Sequence, residues 1–208
     1  MELSKVFGCP SRCKSQFCED CSLAHCVKWR EKLKAALHSW NSVIMLTLTL
    51  DPKDYSGPEE AYREVGKKRA VAELMKKLHK RGMVDTREFT LTMEFHKSGW
   101  PHYHVLVRST FVEKHELQRL WKRGHCWVSK GDFESVEHAI NYATKYIVKT
   151  SEEEPFWFPE WVLDFKGNLR RFSTSRGLCP TLRNKSKKNP DSKPRIRIRK
   201  TARQRSVQ

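Results

Sequence analysis

Two hydrophobic periods alternate along the chain, and the switches between them mark its elements. Residues 43–50 are β-branched and alternating, which predicts a strand with Leu46, Leu48 and Leu50 on one face and Thr47 and Thr49 on the other. Residues 89–95 repeat the pattern: Phe89, Leu91, Met93 and Phe95 face a core, while Thr90, Thr92 and Glu94 face away. The turn residues of 97–101 follow, and then an apolar strand over 102–107, so residues 88–108 read as a β-hairpin. A short strand is expected over 126–129. The period lengthens to three and four in residues 22–40, where Cys26, Trp29, Leu33, Ala36, Leu37 and Trp40 recur and Lys28, Arg30, Lys32 and Lys34 cover the other side. Further helices are expected over 59–81, stopped by Gly82, over 112–121, and over 135–149. Residues 152–165, acidic and aromatic, read as a loop or a covering segment. This order predicts an α+β domain with a central antiparallel sheet and helices on one face. The other face carries Thr47, Thr49, Glu94, His102 and His104.

Composition narrows the function. The chain of 208 residues has a formal net charge of +17 and a pI near 9.7, which favours polyanionic partners, nucleic acid first. No apolar run is long enough to span a membrane, and the first residues lack the apolar core of a signal peptide. Seven cysteines are present, five of them within residues 9–26. Without a secretion signal, such clustering points to metal rather than disulfides. Cys9, Cys13, Cys18 and Cys21 supply the four thiolates of a closed zinc site, with His25 or Cys26 as substitute ligands. Cys126 and Cys179 stand alone and read as packed thiols. The division expected is a cysteine-rich module at 1–26, a main domain at 27–180, and a basic tail at 181–208 that is disordered alone and attracted to phosphate backbones.

Two constellations carry chemistry. His102 and His104 are two residues apart on a strand, so both side chains reach one face and can hold one metal ion, with Glu94 on the neighbouring strand as third ligand. Tyr142 and Tyr146 are one helical turn apart, with Lys145 and Lys149 three residues beyond each. A tyrosine hydroxyl is a poor nucleophile unless its phenolate is stabilised, and nearby lysines and a metal-held phosphate would do that. Arg170, Arg171 and Arg176 lie in a compact basic segment suited to DNA.

The ordered set of residues 45–49 (Met-Leu-Thr-Leu-Thr), 101–106 (Pro-His-Tyr-His-Val-Leu) and 142–149 (Tyr-Ala-Thr-Lys-Tyr-Ile-Val-Lys) resembles the three motifs of HUH endonucleases that initiate rolling-circle replication. The two-tyrosine form is similar to initiators of microviruses, filamentous phages and related plasmids. Residues 120–128, the cysteine cluster and Ser175-Arg176-Gly177 resemble flanking segments of that group, so the likeness covers about residues 9–180. It implies an RRM-like nuclease fold and a Mg²⁺ or Mn²⁺ ion on His102, His104 and Glu94, with His96 the less favoured third ligand. It further implies tyrosine attack on an origin in single-stranded DNA, a 5′-phosphotyrosine link and a free 3′-OH. The partners implied are a host polymerase and helicase, since no helicase-like extension is present, and the location is the cytoplasm of a bacterial host. A two-tyrosine transposase shares the chemistry. A non-catalytic zinc-containing nucleic-acid-binding protein and a water-using metal nuclease are the alternatives from other mechanisms.

Overall fold

In the computed structural model the described residues are 17, 19–67, 69–129, 133–145, 158–165 and 169–179. Five strands form one antiparallel sheet in the order β4-β1-β3-β2-β5. They are β1 (Ile44–Leu48), β2 (Phe89–Phe95), β3 (Pro101–Val107), β4 (Cys126–Val128) and β5 (Phe172–Thr174). The helices are α1 (Glu19–Leu37), α2 (Pro58–Lys67), α3 (Ala70–Lys80), α4 (Lys114–Trp121), α5 (Val136–Lys145) and the single turn α6 (Trp161–Asp164). The α+β class and the antiparallel sheet expected from the alternation are thus present.

Period-two alternation sorts the strands between two surfaces. Ile44, Leu46, Leu48, Phe89, Met93, Tyr103, Val105 and Val107 enter a core with Val71, Leu74, Met75 and Leu78 of α3 and Leu117 and Trp121 of α4. These are the helices expected on one face. The second face is covered as well, because its apolar end, Met45 and Leu106, needs burial. Ala139 and Ala143 of α5 lie on it. α1 packs against α5 through a cluster of Cys26, Leu33, Leu37, Trp40, Ile140 and Phe172. Two small residues four apart let α5 approach the sheet closely.

Three details depart from the sequence reading. The single helix expected over 59–81 is two, α2 and α3, separated at Arg69, whose φ of 49° is left-handed. That backbone costs a non-glycine residue about 1–2 kcal/mol, and the apolar stripe of α3 buried on the sheet offsets it. The boundary expected at residue 26 falls inside α1, and Cys26 is buried against the main domain. The covering segment does cover: Trp161 Nε1 donates to the Gly99 carbonyl at 3.2 Å and its ring packs edge-on against Phe95.

Candidate metal centre and tyrosine helix

The β2–β3 hairpin builds the site by register. Glu94 pairs directly with His102, and Thr92 with His104, so three chemistry-bearing side chains rise from one face of adjacent strands. One carboxylate oxygen of Glu94 lies 3.0 Å from Nε2 of His102 and 3.1 Å from Nε2 of His104. The two imidazole rings are nearly perpendicular, at 81°, with centroids 5.0 Å apart. The three ligand atoms lie within 4.8 Å of one another. Glu94 and His104 are buried and His102 is half-buried, so the cluster sits at the bottom of an open surface rather than on it.

The donor set fits a divalent cation. Two donors held at about 2.1 Å and at right angles lie roughly 3.0 Å apart, the spacing of Glu94 from each histidine. Two imidazoles and a carboxylate suit Mn²⁺ and admit Mg²⁺. Nδ1 of His104 is 3.2 Å from Thr47 Oγ1 across the β1–β3 pair, the outer contact that holds a ligating ring in orientation. His96 is elsewhere: it opens the hairpin turn, with Nδ1 2.9 Å from Ser98 Oγ. Gly99 closes that turn at a φ of +83°, and its N–H donates to the His96 carbonyl.

The tyrosine helix lies on the same face. Thr92 Oγ1, on the pair that holds His104, donates 3.2 Å to the Ala143 carbonyl of α5. From the other side Cys26 Sγ of α1 donates 3.3 Å to the Thr144 carbonyl, and Arg30 Nε donates 3.3 Å to Thr144 Oγ1. Lys34 adds an ion pair to Glu137 at 2.8 Å. The last turn of α5 is therefore gripped by the metal-bearing sheet and by α1. Tyr142 is half-buried and stacks edge-on against Phe133, centroids 5.6 Å apart. Lys145 ends α5; Tyr146 and Lys149 lie outside the described residues.

The other expected sites divide. Cys21 is buried on α1, while Cys9, Cys13 and Cys18 lie outside the described residues. Cys26, a substitute zinc ligand by sequence, instead spends its thiol on Thr144, and burial raises its pKa. Cys126 is a packed thiol, pushed up to about 12 by burial. Arg171 is corrected from a DNA-facing residue to a buried one: 5% exposed, its guanidinium is pulled down to about 10 by burial against the opposing pull of the Glu94 carboxylate. Non-local pairing decides this, because the Arg171 carbonyl accepts from Met93 N–H and draws the residue to the edge of β2. Arg170 and Arg176 are exposed, and with Arg69 and Arg87 line a groove of about 1150 Å³ floored by Leu91, Met93 and Tyr103, on the opposite face of the sheet from the histidines. Thr92, and the Cys26–Arg30 grip on α5, had no sequence signal, since each acts through a partner far away in the chain.

A five-stranded antiparallel sheet with a His-Glu-His cluster and a helix across the same face defines an α+β protein with a candidate metal centre. Residues 43–151, from β1 through the tyrosine helix, match a family model described as a replication-associated protein of the ORF2 type, and the chain belongs to that family. No match is found among curated proteins or among solved structures. Among the described residues no helix is long and apolar enough to cross a membrane.

Proposed function

We propose that the protein is a replication-initiation endonuclease of the two-tyrosine HUH type, which nicks single-stranded DNA at an origin and later rejoins it. The observation that carries this reading is that the Glu94-His102-His104 cluster and the tyrosine helix share one sheet face, joined by the Thr92–Ala143 hydrogen bond. Glu94, His102 and His104 would hold Mg²⁺ or Mn²⁺, which when bound supplies Lewis-acid polarisation of a phosphate. The tyrosines do the covalent work. A hydroxyl of Tyr142 or Tyr146 attacks phosphorus, the bond from phosphorus to the 3′ oxygen breaks, and the tyrosine is left esterified to the 5′ phosphate. The phenol proton is lost and the departing 3′ oxygen gains one, leaving a 3′-OH for a polymerase. The phosphodiester's energy is kept in the ester, so the reverse attack reseals the strand without a nucleotide cofactor. Lys145 and Lys149 would neutralise the phosphate and assist proton transfer. A second tyrosine one turn away allows attack on the regenerated junction while the first link is released. Cys9, Cys13, Cys18 and Cys21 would hold a structural zinc ion. Arg170, Arg176 and the tail add salt-sensitive affinity for DNA.

The test is covalent trapping. Labelled single-stranded circular DNA is incubated with the protein and Mn²⁺ and resolved on a denaturing gel, for wild type, Tyr142→Phe, Tyr146→Phe and the double variant. Label that migrates with the protein, and is lost in the double variant, is the expected result. Cleavage without an adduct would assign water as the nucleophile.

A further inference from the structure

We infer that Trp127 is a stacking platform for a base of the DNA strand whose phosphate lies at the His102–His104 cluster. The inference rests on the nuclease reading for the identity of that strand. Trp127 is 52% exposed, although its strand neighbour Cys126 is fully buried. So much open indole surface gives the core little, and its position calls for a role outside packing. Alternation along β4 sends Cys126 into the α3–α4 core and Trp127 to the opposite face.

Register places it beside the site. Trp127 pairs with Thr47, and Thr47 pairs with His104, so the indole, the threonine and the metal-ligating ring form one row across β4, β1 and β3. Two strand spacings separate Trp127 from His104, roughly 10 Å. A strand with a phosphate at His104 thus brings an adjoining base within reach of the indole. β4 is an edge of the sheet, so among the described residues no further strand lies beyond it. His125 extends the aromatic surface, its ring centroid 6.1 Å from that of Trp127.

The platform is held rigidly. Thr49 N–H donates to the His125 carbonyl, His125 N–H to Thr49 Oγ1, both at 2.9 Å, and Trp121 Nε1 to the Thr49 carbonyl at 2.7 Å. Gly124 makes this close seam possible: at a φ of +154° a Cβ there would collide with the Thr49 carbonyl. An aromatic plane fixed before the strand arrives gives stacking without an ordering cost. Stacking tolerates any base, which suits a surface that must hold single-stranded DNA on both sides of a cut.

The experiment measures equilibrium binding in EDTA, so that cleavage does not intervene. The probes are a short oligothymidylate and an abasic oligomer of the same length, which keeps the phosphates and lacks the bases. Trp127→Ala, Trp127→Phe and Trp127→Leu are compared with wild type in the full chain. Trp127→Ala should weaken oligothymidylate binding by about tenfold to a hundredfold, leave abasic binding unchanged, and be rescued mostly by Phe and hardly by Leu. Equal losses on both probes, rescue by Leu as good as by Phe, or no loss at all would overturn the inference. A wild-type protein that discriminates the probes through Trp127 yet forms no covalent adduct would leave the platform standing and remove the tyrosine mechanism.

Discussion

The two faces of the sheet are built from the same strands and differ in every respect that matters for function. On one, Leu46, Leu48, Met93, Tyr103 and Val105 are buried under α3 and α4, and the one ionisable group among these five is the Tyr103 hydroxyl, whose pKa burial raises strongly. On the other, composition changes along the strands. Met45 and Leu106 lie under α5 at one end, and Thr47, Thr92, His104, Glu94 and His102 succeed them toward the hairpin. The covered end anchors the tyrosine helix, and the polar end presents the metal cluster. An apolar face fixes the strands in space, which lets the opposite face carry buried polar groups at set distances without losing the fold. Hydrophobic burial supplies stability without direction, whereas the hydrogen bonds of the polar face supply direction with little net stability.

This division predicts opposite responses to substitution on the two faces. The largest effect belongs to the polar face. His104→Ala should abolish Mn²⁺ binding measured by calorimetry and reduce adduct formation on the order of 10²–10³ or more, with little change in the urea midpoint. A comparable fall in stability would mean that the two faces are not separable. On the apolar face, Leu46→Ala should cost about 2–5 kcal/mol in urea unfolding, because Leu46 is fully buried, and leave the Mn²⁺ affinity of the folded fraction unchanged. A loss of affinity there would show that core packing sets the ligand geometry. The smallest effect tests the link between them. Thr47→Val removes the contact to His104 Nδ1 at nearly constant volume and should weaken Mn²⁺ binding by about tenfold to a hundredfold, with Thr47→Ser restoring most of it.

Much of this was legible in the residues themselves. The alternation of 89–95 assigned Phe89 and Met93 to one core and Glu94 to the other face, and the spacing of His102 and His104 put both imidazoles beside it. Both inferences need only the two-residue repeat of a strand, a local property. The helix break at Arg69 was hidden because the apolar stripe of 71–78 continues the helical period without a proline or glycine at the break. Arg171 looked like its basic neighbours, since burial depends on which strand edge receives it.

The sequence alone determined which residues can face which surface, the candidate ligands and the pair of tyrosines, because periodicity and residue chemistry are local. The tertiary structure decided which of them meet. Cross-strand register chose Glu94 over His96, since pairing puts Glu94 opposite His102 and leaves His96 in the turn. Packing of α1 on α5 gave Cys26 to Thr144, and the β4–β1–β3 row set Trp127 beside His104. Each of these joins residues far apart in the chain, and only closure of the whole sheet and its helices fixes such distances.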